Sequence, residues 1–148
     1  MTIVAIDPGP VETAVVEWDG FRPTFMEILS NEKTRDWLEN QKGPSLIAVE
    51  MIASYGMAVG SSTFETCVWI GRFIEVARVD VELIFRKDIK LFLCGTMRAK
   101  DANIRQALLD KIGPQGTKKT PGPTYGIKSH TWAALAVAVY AANNNKGK

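Results

Sequence analysis

Apolar and polar positions change period several times along the chain, and each change marks an element. A continuous apolar run, Ile3, Val4, Ala5 and Ile6, ends at Asp7, and Pro8 and Gly9 follow at once. Residues 2–7 and 12–18 read as strands joined through Pro8-Gly9-Pro10, and Asp19-Gly20 is a hairpin signal before a third strand over 24–29. Pro23 cannot donate to a sheet ladder, which fits a strand start or an edge. Asn31 is the expected N-cap of a short polar helix reaching about Gln41, with Trp37 and Leu38 as its apolar contacts. Gly43-Pro44 then breaks the chain before a second apolar run, Leu46, Ile47, Ala48 and Val49, which ends at Glu50.

Beyond Glu50 the period lengthens. From Ser61 or Ser62 as N-cap, Phe64, Cys67, Val68, Gly71, Ile74 and Ala77 recur at helical spacing and predict the packed face of a helix. Residues 79–85 read as a strand, and 86–93, 100–112 and 129–142 as helices, the last almost wholly apolar after its first turn and so expected to be buried. Residues 113–126, rich in Gly, Pro, Thr and Lys, are expected to form a mobile loop. Three meander strands followed by alternating helices and strands predict an α/β fold, a mixed β-sheet of antiparallel hairpin strands plus parallel strands flanked by α-helices.

The 148 residues suit a single domain over 1–148, and a hydrophobic content of 46% is that of an ordinary soluble protein. Ile3 to Ile6 and Thr131 to Ala142 fall short of the roughly 20 residues a membrane span needs, and no signal-peptide pattern is visible. Cys67 and Cys94 lie outside any CxxC and each has an apolar neighbour, which favours free thiols in a reducing compartment. The expectation is a cytoplasmic protein without a membrane partner. Its net charge of +2 conceals an asymmetry: residues 1–85 carry 6 Lys/Arg against 13 Asp/Glu, whereas residues 86–128 carry 10 against 3. Such a block fits either a polyanion footprint or a solvated lysine-rich face.

Two strands thus end in acids. If they lie side by side, Asp7 and Glu50 meet at the sheet's rim, where two like charges are tolerated mainly with a cation between them. One use of such a hard-metal site is to cut phosphodiesters. Taken singly, each acid could equally stabilise the next turn. His130, the only histidine, stands in the first turn of the C-terminal helix, which can face the rim; a surface or packing role is the plainer alternative. Asp101 could be another metal-binding acid, although complementing a helix dipole is the favoured role. Lys90 and Lys100 could hold phosphates or be solvated, and Tyr55, on a loop after Glu50, could stack on an unpaired base or be buried.

The ordered set AIDPG (Ala5 to Gly9), IAVE (Ile47 to Glu50), RKDIK (Arg86 to Lys90) ahead of Cys94-Gly95 and Lys100, and SHTWAALAVAV (Ser129 to Val139) resembles the RuvC-type Holliday junction resolvases of the RNase H-like superfamily. DPG alone is weak, because sugar-kinase-like ATPases also carry an acid there; those would need a duplicated domain and Gly-rich phosphate loops, and this chain shows neither. The resemblance implies four acidic or histidine ligands for divalent metal, two Mg²⁺ or Mn²⁺ ions per site. Asp7 and Glu50 match the first two and His130 a third. The last acid falls at Ala133. Three ligands and water would then suffice, or Asp101 would substitute, or catalysis is weakened, naturally or by a deliberate substitution. Lys90 and Lys100 match active-site and phosphate-contacting lysines, and Tyr55 lies near an aromatic that probes the junction centre. Arg98, Lys118 and Lys119 would add DNA contacts. The implied protein is a homodimeric endonuclease on four-way and other branched DNA, or a junction-binding protein with weakened catalysis. Its compact spacing resembles a phage version, acting in a bacterial cell or a phage-infected host.

Overall fold

The computed structural model describes residues 1–146. Five strands, β1 (Ile3–Pro8), β2 (Glu12–Trp18), β3 (Pro23–Ser30), β4 (Leu46–Met51) and β5 (Val81–Phe85), form one sheet in the order β3-β2-β1-β4-β5. The first three are an antiparallel meander, and β4 and β5 continue the sheet parallel to β1. Five helices flank it: α1 (Asn31–Glu39), α2 (Ser61–Val76), α3 (Arg86–Cys94), α4 (Asp101–Ile112) and α5 (Thr131–Asn144).

The apolar runs are continuous because the central strands are covered on both faces. Ile3, Ala5, Leu46, Ala48 and Ile84 face a core shared with α3, α4 and α5, while Val4, Ile6, Ile47 and Val49 face Leu38 of α1 and Ile70 and Phe73 of α2. α5 is the deepest helix, with Ala134, Leu135, Ala136, Val137 and Ala138 all at 0% exposure. Among the described residues no helix is long and apolar enough to cross a membrane, and both cysteines are free thiols.

Three local expectations need correction. The N-cap of α1 is Ser30, whose hydroxyl accepts from the Lys33 N–H at 3.2 Å. Asn31 is instead fully buried: it accepts from the Thr13 hydroxyl at 2.6 Å and donates to the Gly9 carbonyl at 2.9 Å, tying α1 to the turn after Asp7. In α2 the packed face is Thr66, Ile70 and Phe73; Phe64, Val68 and Ile74 point outward, 62%, 54% and 40% exposed. The loop expected to be mobile folds back on itself, with Gly122 N–H on the Gln115 carbonyl at 2.8 Å and the buried Thr124 hydroxyl on the Gly113 carbonyl at 2.9 Å. A Cβ on Gly122 would lie 1.9 Å from the Pro114 oxygen, so this close return requires glycine.

Candidate active site

Strand register brings the two acids together. β1 and β4 are parallel with Ile6 opposite Val49, so the next residues, Asp7 and Glu50, emerge side by side at the strand ends. Alternation selects the face: Asp7 shares that of Ile3 and Ala5, Glu50 that of Leu46 and Ala48, and both look toward α5. The approach to α5 turns sharply at Ser129, whose φ of 53° lies in the left-handed region. The Lys128 N–H donates to Thr131 Oγ1 at 2.8 Å and fixes that turn. His130 is thereby held at the N-cap of α5 with Nδ1 3.2 Å from Asp7 Oδ2.

Arg86 completes the cluster, and sequence reading did not single it out as a site residue. Its signal was register: β5 pairs with β4 as far as Phe85 opposite Met51, so the first residue of α3 rises beside Glu50. One guanidinium nitrogen of Arg86 lies 3.1 Å from Glu50 Oε1, and the other pairs with Asp101 Oδ1. Burial works against its charge, but the Glu50 and Asp101 carboxylates outweigh that and raise its pKa. Asp7 is the most perturbed group. Burial disfavours its charge, and the Glu50 carboxylate adds a hydrogen bond and repulsion in the same direction, which together push Asp7 up from 3.8 to about 9 against the opposing pull of Arg86.

These residues line a cleft of ≈ 680 Å³ that also takes in Arg105, Trp132 and Ala133. The Arg105 guanidinium sits 4.9 Å from the centre of the Trp132 ring. Ala133 brings no donor, and among the described residues no three His, Cys, Asp or Glu side chains form a ready-made metal shell. Two converging carboxylates nevertheless suit a hard divalent ion, which commonly uses one or two carboxylates and fills its shell with water and phosphate oxygens. Burial and the neighbouring carboxylate both disfavour charge on Asp7, so a cation placed between the two acids would relieve them.

The other candidates lie outside this cleft. Lys100 is the exposed N-cap residue of α4, its N–H on Asn103 Oδ1 at 2.9 Å, and Lys90 is half-buried on α3. Arg98, Lys118 and Lys119 are exposed, the last two on the turn between Thr117 and Thr120. Tyr55 is 63% exposed; it and Gly56 are both left-handed (φ 52° and 79°), and the Met57 N–H closes the turn on the Ser54 carbonyl at 2.9 Å. None of these six lines the cleft with Asp7 and Glu50.

Two solved structures share this architecture. RuvC of Thermus thermophilus is 20% identical, with 99% of this chain and 97% of that one covered and a TM-score of 0.70. RuvC of the same organism in complex with a Holliday junction substrate is 17% identical, with 99% and 96% covered and a TM-score of 0.75. The chain has the RuvC-like fold. No family model and no curated protein matches its sequence, so the likeness is one of fold.

Proposed function

We propose that the chain is a structure-selective endodeoxyribonuclease that resolves Holliday junctions and other branched DNA by paired nicks, as a homodimer using Mg²⁺ or Mn²⁺. The observation that carries this reading is the side-by-side emergence of Asp7 and Glu50 at the ends of β1 and β4, both lining one cleft, with burial and the neighbouring carboxylate raising the Asp7 pKa. The RuvC-like fold, one of whose solved examples is in complex with a Holliday junction, gives the pair its context.

Asp7 and Glu50 would hold the ion, which when bound supplies an activated water and relieves charge on the phosphate. His130, at hydrogen-bond distance from Asp7 Oδ2, would hold that oxygen in place and take or give a proton there. Lys90, Lys100, Arg98, Lys118 and Lys119 would contact flanking phosphates, and Tyr55 would stack on an unpaired base near the branch. A second ion would draw on His130 and substrate oxygens, because Ala133 contributes none and Asp101, the other candidate ligand, pairs with Arg86. The apolar stripe of α2, Phe64, Val68 and Ile74, would face the same stripe of a second copy, so that two sites nick two strands. The working compartment would be the cytoplasm of a bacterial cell or a phage-infected host.

A second reading, a junction-binding protein with weakened catalysis, draws on Ala133 in the cleft wall and on Arg86 engaging Glu50. Labelled four-way junction, duplex and single strand, incubated with and without Mn²⁺, separate the two. Junction-selective, metal-dependent cutting is expected, lost in Asp7→Asn and Glu50→Gln with binding retained. Tight binding without cutting would favour the second reading, and full cutting by either variant would remove the site assignment.

A further inference from the structure

Arg86 stands between two unlike carboxylates. Glu50 is sheltered, with a side chain 14% exposed, whereas that of Asp101 is 87% exposed, and the Arg86 side chain between them is 31% exposed. The inner pair sits at the floor of the cleft and the outer pair at its mouth. An ion pair as exposed as the outer one is held weakly, because water and salt screen it. A guanidinium fork suits phosphate oxygens as well as carboxylate oxygens, so the Asp101 oxygen rests where a phosphate oxygen would bind. Asp101 is also the first residue of α4, where the helix dipole favours a negative charge. If it let go of Arg86, its carboxylate would stay solvated and favourably placed. Arg105, stacked on Trp132, lines the same cleft and adds a second guanidinium to it.

We propose that Arg86 is a phosphate-binding residue of the cleft and that Asp101 is its internal placeholder, displaced when a DNA phosphodiester takes the outer nitrogen. Arg86 then keeps Glu50 in position with one nitrogen and holds the substrate strand with the other. This rests on the reading that the cleft receives branched DNA.

The test is junction affinity measured in EDTA, where no metal takes part. Asp101→Asn removes the competing charge without touching a buried group and should tighten binding about five-fold, near the upper limit of what an exposed ion pair holds back. Asp110→Asn makes the same charge change at the far end of α4 and should alter affinity less than about two-fold, as expected of a screened distant charge. In an Arg86→Gln background the gain from Asp101→Asn should vanish, and the Arg86 guanidinium ¹⁵N signals of the unmodified protein should shift on adding junction. Equal gains from Asp101→Asn and Asp110→Asn, or a gain that survives without Arg86, would overturn the placeholder while leaving the nuclease reading intact. No binding of junction by the unmodified protein would overturn both.

Discussion

At the scale of single residues, Asp7 is where fold and chemistry conflict. The sheet buries a carboxyl beside another carboxyl, and burial and the Glu50 carboxylate together push the Asp7 pKa up to about 9. Folding then takes up a proton wherever the unfolded Asp7 is charged and the folded one is not. Because the folded value lies above the unfolded one, the associated stability is fully present below about pH 4 and is lost as pH rises toward 9. Urea unfolding of the metal-free protein between pH 5.5 and 8.5 should show stability falling by up to about 1.4 kcal/mol per pH unit. Asp7→Asn should flatten this dependence. Added Mg²⁺ should stabilise the unmodified protein more at pH 8.5 than at pH 6, since the ion and the proton compete for the same oxygens. A slope of zero in the unmodified protein, or one unchanged in Asp7→Asn, would mean that Asp7 is charged in the folded state.

At the scale of elements, the clearest test lies at the start of α1. A capping Asn31 would cost about 1 kcal/mol on replacement by alanine. The structure instead buries Asn31 between the Thr13 hydroxyl and the Gly9 carbonyl, so Asn31→Ala should cost about 2–3 kcal/mol by stranding both partners. Ser30→Ala, at the real cap, should cost about 1 kcal/mol, and equilibrium unfolding of the two variants ranks them. The strands, both acids and α5 are legible in the sequence because continuous apolar runs and turn residues are local signals. Asn31 is not, because Ser30 and Asn31 are both good caps, and only the fold shows which one meets Gly9. The packed face of α2 escapes for a related reason: Phe64, Cys67, Val68, Gly71 and Ile74 make a sound apolar stripe, but periodicity cannot say whether a stripe meets the protein's own core or something else. Arg86 stays hidden because its role depends on the β4–β5 register, a long-range pairing that no local pattern encodes.

At the scale of the whole molecule, charge and apolar surface divide the labour. The basic block belongs to α3, α4 and the loop after them, so affinity for DNA should fall steeply with salt. Replacing Lys90 and Lys100 together by alanine should lower the log-log slope on duplex arms by roughly 0.9 for each phosphate left without its lysine. An unchanged slope would make them part of a solvated face. Part of the exposed apolar surface lies on α2, reached from β4 through the turn that exposes Tyr55. Phe64 and Val68, one helical turn apart, together with Ile74 form an outward stripe, and Gly71 between them has nothing within 4 Å of a built Cβ, which leaves room for a close approach. In the homodimer proposed above, this stripe would be the seam between the two copies. Phe64→Asp combined with Val68→Asp should therefore yield a folded monomer, with the circular dichroism spectrum unchanged and the mass by light scattering halved. A monomer carries one cleft, so it should nick one strand of a four-way junction at a time, and nicked junctions should accumulate instead of paired products. If the unmodified protein is already monomeric, or the double variant remains a dimer, α2 is not the seam.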